Sequence, residues 1–265
     1  MSTATRPLSA VTRPGPARFA VGFVTNFLDT LGIGSFATTT AAFKSLNLVP
    51  DELIPGTLNI GHAVPTVVEA AIFITAIKVD VRTLVLLIGA SVLGAWIGAG
   101  IVSGWNRRRV QRGMAIALAA TAVIMVLRMT GLFPGGGDAL SLAGGLLLLA
   151  VIGNFALGAL MTLGIGLYAP CMAMVSLLGM SPITAFPIMM GSCACLMPVA
   201  GLRFWKADRF DRRAALGLAL GGVPAVLIAT YLVKSLPLDI VRVLVVVVIG
   251  YTAFRMWRDS GREPA

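Results

Sequence analysis

Charge is scarce in this sequence. Of 265 residues, 12% are Asp, Glu, Lys or Arg, about half of the rough quarter that keeps a soluble domain's surface wet. That shortage excludes a soluble enzyme. Acids are the rarer sign, 11 against 21 Lys and Arg, and histidine occurs once, at His62. Cysteine occurs three times (Cys171, Cys193, Cys195), always inside apolar runs, so no secreted disulfide framework is implied. There is no G-x-x-x-x-G-K-[ST] motif, so direct drive by ATP is not expected.

What is abundant is apolar. Hydrophobic residues make up 57% of the chain and the mean hydropathy is +0.92. A membrane span takes about 20 apolar residues, leaving room for about eight to ten segments and little else. The net charge of +10 sits in short connections between apolar runs, the pattern of the positive-inside rule, and does not imply nucleic acid. Residues 1–18 are polar, basic and broken by proline, and read as a disordered cytoplasmic tail rather than a cleaved signal.

Hydropathy breaks give apolar stretches at roughly 19–43, 53–77, 83–104, 110–132, 140–178, 183–202, 214–233 and 238–257. The first and fifth are each interrupted by Thr-Leu-Gly-Ile-Gly, at 30–34 and 162–166. Each helical glycine costs about 1 kcal/mol relative to alanine, so both stretches are expected to break there. Asn26-Phe27 and Asn154-Phe155 precede the motifs, and Pro50 and Pro55 recur as Pro182 and Pro187, at the same offset along the chain as the glycines. The chain thus reads as a tandem duplication: an N-tail 1–18, repeat 1 over 19–133, a linker 134–139 (Pro134 to Gly137 at the seam), repeat 2 over 140–258 and a C-tail 259–265.

Charge decides the relative orientation. If the interrupted stretches are hairpins that enter and leave on one side, 16 of 21 basic residues are cytoplasmic, including Arg107, Arg108, Arg109 and Arg112. If both stretches cross, the tally falls to 14. Four arginines in a short loop resist translocation. Each repeat is then a broken-helix hairpin plus three transmembrane helices, an odd number of crossings, and the fold expected is an all-α polytopic membrane protein of two inverted repeats. Transporters of that design place the site at the breaks.

The half-helix after Gly32 and Gly34 begins Ser35-Phe36-Ala37-Thr38-Thr39, and the one after Gly164 and Gly166 begins Leu167-Tyr168-Ala169-Pro170-Cys171. Two helix N-termini with unsatisfied amides form an anion cradle; the plainer alternative is close helix packing through glycine. In the next segment Asn59, His62, Thr66 and Glu69 fall on one face of a continuous helix. Asn59 and His62 are candidates to line the anion path. Asp29, His62 and Glu69 are candidates for proton coupling, although the simpler expectation for Glu69 is an interfacial pair with Lys78 or Arg82. Ser192 joins the candidate site from the second repeat. Cys193 and Cys195, at i and i+2, point in different directions and make a poor metal pair; a soft-metal or thiol-relay permease using Cys171, Cys193 and Cys195 is the alternative function. Arg203, Trp205 and Lys206 read as interfacial anchors.

These motifs together resemble the TauE/SafE sulfite exporter family, also called four-toluene sulfonate uptake permeases, over about residues 19–257. The resemblance implies a secondary transporter, with Gly32, Gly34, Gly164 and Gly166 at the transport site and sulfite, sulfoacetate or other organosulfonates carried, usually outward. Residues 167–171 depart from Ser-Phe-Ala-Thr-Thr, so the site is asymmetric, with Tyr168 shaping one end. The expectation is a bacterial inner-membrane exporter with both termini cytoplasmic, working by alternating access, not an enzyme, and needing no cofactor or resident metal. Its partners are a small anion and the bilayer, with a homodimer as an option and no nucleic acid.

Overall fold

A computed structural model describes residues 15–132, 137–164, 166–232, 250–251, 253–254 and 257–258. Most of the N-tail, most of the seam, Ile165, the stretch 233–249 and the C-tail lie outside the described residues, as do Lys234, Arg242 and Arg262. Among the described residues the protein is all helix, apart from one isolated bridge between Ala139 and Met180.

The helices are α1 (Pro16–Thr30), α2 (Ser35–Leu46), α3 (Ile54–Gly61), α4 (Ala63–Ala76), α5 (Val81–Val102), α6 (Arg107–Met129), α7 (Gly144–Met161), α8 (Tyr168–Leu177), α9 (Ala185–Lys206) and α10 (Arg212–Leu232). The order recurs: along the chain, the start of α9 follows that of α3 by the same interval as the start of α10 follows that of α5. Packing recurs with it, since α1 lies along α10 and α7 along α5, the same pairing with the halves exchanged. The expected breaks at both glycine motifs are present, between α1 and α2 and between α7 and α8.

Among the described residues four helices, α5, α7, α9 and α10, are long and apolar enough to cross a membrane, and α3 with α4 makes a fifth if the bent pair counts as one span. Helix α7 has 18 residues, about 27 Å at 1.5 Å per residue, so the first arm of the second hairpin is itself of spanning length. Val85, Leu93, Ile97 and Ile101 on α5 and Leu148, Leu149 and Ile152 on α7 are exposed. In water that would be an aggregating surface; against acyl chains it is the expected one. The protein is a multi-pass membrane protein.

Close approach of the paired helices depends on glycine. A Cβ on Gly94 would overlap the carbonyl oxygen of Phe155, and one on Gly158 would overlap that of Ser91. With no hydrophobic drive between helices in lipid, such small-residue contacts carry association. At the end of the bundle Asp80 caps α5, its Oδ2 accepting the Thr83 amide (2.8 Å) and hydroxyl (2.9 Å). These bonds hold the Asp80 carboxyl below its ordinary pKa.

The segment 53–77 is corrected. It is not one continuous helix but α3 and α4, bent by 40° at His62. Pro65 is the cause: it has no N–H for the Gly61 carbonyl, and its ring crowds the preceding turn. Pro198 is tolerated inside α9, which stays unbroken.

Candidate functional site

The site starts from the turn that ends α1. Gly32 has φ +78°, its amide donates to the Asp29 carbonyl (2.8 Å), and the Ile33 amide donates to the Leu28 carbonyl (3.1 Å). This is a Schellman turn, which needs a left-handed residue and so selects glycine. Gly34 follows at φ +93° and ψ 130°, another conformation that favours glycine. The chain reverses and α2 begins at Ser35 beside the last turn of α1.

That reversal brings Asp29 onto the N-terminus of α2. Its Oδ1 accepts the Ser35 amide at 2.6 Å and its Oδ2 accepts the Ser35 hydroxyl at 2.9 Å. The expectation of a free amide at Ser35 is therefore corrected: the carboxylate of Asp29 already takes it. The partial positive charge of the helix end stabilises that carboxylate.

Tyr168 reaches the same place from the other hairpin. Its hydroxyl is 3.0 Å from Glu69 Oε2 on α4 and 3.4 Å from Asp29 Oδ2. Glu69 Oε1 is 2.6 Å from the Thr30 hydroxyl. The expected interfacial pair of Glu69 with Lys78 or Arg82 is corrected: Glu69 is wholly buried, and its partners are Thr30 and Tyr168.

A second polar set joins the first hairpin to the α3–α4 bend. His62 Nδ1 is 3.0 Å from Asn26 Oδ1, and its Nε2 is 2.9 Å from the Thr39 hydroxyl. The Asn26 amide nitrogen donates to the Gly22 carbonyl (2.7 Å), which leaves its oxygen to accept, so Nδ1 carries the hydrogen. With the ring neutral, Nε2 accepts from Thr39. Phe36 packs beside its ring, with centroids 5.9 Å apart.

The remaining candidates are dispersed. Thr38 spends its hydroxyl on the Gly34 and Ser35 carbonyls. Asn59 donates to the Pro55 carbonyl, its Oδ1 has no partner, and it lines an apolar groove of about 150 Å³ with Met197, Gly201 and Trp205, away from His62's partners. Ser192 accepts from Asn154 at 3.0 Å. Gly164 has φ +93°; Gly166 has open space around it and no positive φ. Cys171 is buried in the core, Cys193 Sγ sits 3.6 Å from Met161 Sδ, and Cys195 is exposed, so the two thiols on α9 do point apart. Among the described residues no three His, Cys, Asp or Glu side chains converge as a metal site. Arg203 stacks over Trp96 at 3.6 Å.

Sequence reasoning treated Asn26 and Thr30 only as motif letters. Their signal was spacing: Gly22, Asn26 and Thr30, with Thr25 and Asp29, fall on one buried face of α1.

The geometry brings Asp29, Ser35, Glu69 and Tyr168 to one point, with Thr39 of the first hairpin bonded to His62 at the α3–α4 bend. The hydroxyls of Thr30, Ser35 and Tyr168 and the two buried carboxyls share hydrogen bonds there. Against known families, residues 146–265 match the model described as Sulfite exporter TauE/SafE, which bears out the resemblance over the second half of the chain. No curated protein and no solved structure matches.

Proposed function

We propose that this chain, matched to the sulfite exporter family TauE/SafE through residues 146–265, exports small sulfur oxyanions or organosulfonates such as sulfoacetate by alternating access. The family implies a membrane exporter of sulfite or related sulfur anions, not an enzyme; the substrate and the mechanism are our reading. The observation that carries it is that Ser35, at the start of α2, and the side chain of Tyr168, from the first residue of α8, both reach Asp29. A sulfonate presents three acceptor oxygens, which suit several amide and hydroxyl donors around one centre. In this reading the anion lies between the hairpin tips, at Gly32, Gly34, Ser35, Gly166 and Tyr168, with Thr39 and His62 behind it.

The recurrence of helix order and the exchanged α1–α10 and α7–α5 pairing support two halves that rock against each other. The arginine tally supports an inverted relation and cytoplasmic termini.

A thermal-shift series on detergent-purified protein tests the reading, with sulfite, sulfoacetate, taurine, sulfate, acetate and chloride. Binding to the folded state raises the melting temperature by mass action. Stabilisation by sulfur oxyanions that is absent for acetate and chloride, and lost in Gly34→Leu protein that still folds, is expected. Equal or absent shifts for every anion would overturn it.

A further inference from the structure

The start of α2 is already occupied, by the protein's own carboxylate. Asp29 presents two oxygens to the Ser35 amide and hydroxyl, as an oxyanion substrate would. The hydrogen inventory around it is short. Tyr168 has one hydroxyl hydrogen and two carboxyl neighbours. Thr30 has one and also faces two acceptors, the Asn26 carbonyl (3.0 Å) and Glu69 Oε1 (2.6 Å). Thr30 can give its one hydrogen to only one of them; where it goes to the Asn26 carbonyl, Glu69 must itself carry a proton to close the 2.6 Å contact. The Ser35 amide and hydroxyl satisfy Asp29 as a carboxylate.

No ion pair to Asp29 or Glu69 is found among the described residues. The ionisable groups that interact with them are Tyr168 from α8 and Cys193 from α9; His62 at the α3–α4 bend is bonded to Asn26 and Thr39 instead. Lys44 on α2 pairs with Asp51 instead, at 2.7 Å.

We propose that Asp29 is an internal competitor for the transported anion, and that each anion bound displaces it and is accompanied by one proton, which Asp29 takes up. The inference rests on the anion site proposed above. When an anion takes the Ser35 donors, Asp29 loses both Ser35 bonds and keeps only the 3.4 Å contact to the Tyr168 hydroxyl, which Glu69 shares. A carboxylate with so little donation, beside another anion and remote from any cation, is too costly to keep charged in a buried place and is neutralised instead. The balance is simple: the anion and one proton enter the site together, and both leave together. The second half has no equivalent, because the residue directly before the second Thr-Leu-Gly-Ile-Gly, where Asp29 stands before the first, is the thioether Met161. The coupling therefore belongs to the first hairpin alone, with Tyr168 as the second half's contact to it.

The test is calorimetry of sulfoacetate binding to the full-length purified protein. Between pH 6.5 and 8 this ligand is fully ionised and carries no proton of its own. Titrations in two buffers of different ionisation enthalpy count the protons taken up. The expected count is about one per anion, with affinity falling about tenfold per pH unit where Asp29 is charged in the free protein. In Asp29→Asn, uptake is expected to vanish, affinity to become independent of pH, and binding at pH 8 to be tighter than wild type. Wild-type binding without proton uptake overturns this inference and leaves the anion site standing, and needs no variant to show it. Uptake that persists in Asp29→Asn also overturns it. Absence of binding in wild type and variant alike, with both folded, overturns the anion site and this inference together.

Discussion

Gly34→Ala and Gly166→Ala are the same substitution at corresponding places in two copies of one motif, and the structure assigns them different costs. Gly34 sits at φ +93° and ψ 130°, a conformation essentially restricted to glycine, where a side chain costs about 1–3 kcal/mol. A Cβ there meets no heavy atom within 4 Å, so the whole cost is backbone strain. Relaxing φ would drag Ser35 away from Asp29, whose 2.6 Å bond is made by the very next residue, so relaxation offers little escape. Gly166 has neither a positive φ nor a neighbour within 4 Å. Alanine there should stay within about 0.5 kcal/mol of wild type, or gain slightly through a less flexible unfolded chain. Reversible denaturant unfolding of both variants in one detergent measures the difference. Equal losses in the two, or a neutral Gly34→Ala, would refute the assignment of strain to the first hairpin.

Tyr168→Phe removes the hydroxyl 3.0 Å from the buried Glu69 and should cost about 1–3 kcal/mol, read by the same unfolding assay. Lys44→Ala strips the ammonium from Asp51, which is only 6% exposed and also receives Gln111 at 2.7 Å; a loss of about 3–5 kcal/mol is expected, and Lys44→Met with Asp51→Leu should recover most of it. Asp80 outside the spans has a lowered pKa in the fold, so its stabilising effect is complete above the unfolded value of about 3.9 and is lost as pH falls through the lower folded value. Asp80→Ala should therefore lower the melting temperature at pH 7 and make no difference at a pH below both values, as a paired melting series would show.

The helices and both hairpin breaks were legible because their causes are local. Two glycines in close succession cannot hold a membrane helix straight, and the duplication repeats that cause in the second half. The kink at His62 was equally local, since Pro65 removes the amide that Gly61 needs, but the polar face from Asn59 to Glu69 drew attention to periodicity instead. The carboxyl cluster was not legible. Asp29 and Glu69 stood out as ionisable residues in apolar runs, yet their pairing depends on the Schellman turn at Gly32 and on Tyr168 arriving from the far half of the chain. Sequence spacing along one helix carries no information about such an encounter. Nor does it show that Asn59 bonds the Pro55 carbonyl or that Ser192 accepts from Asn154 of α7.

The central claim is that the protein moves sulfur oxyanions across a membrane, and counterflow tests it most directly. Proteoliposomes loaded with unlabelled sulfoacetate should accumulate labelled sulfoacetate transiently, faster than empty liposomes, with competition by sulfite and none by acetate. Uptake no faster than that of protein-free liposomes, from protein shown to be folded and inserted, would contradict it.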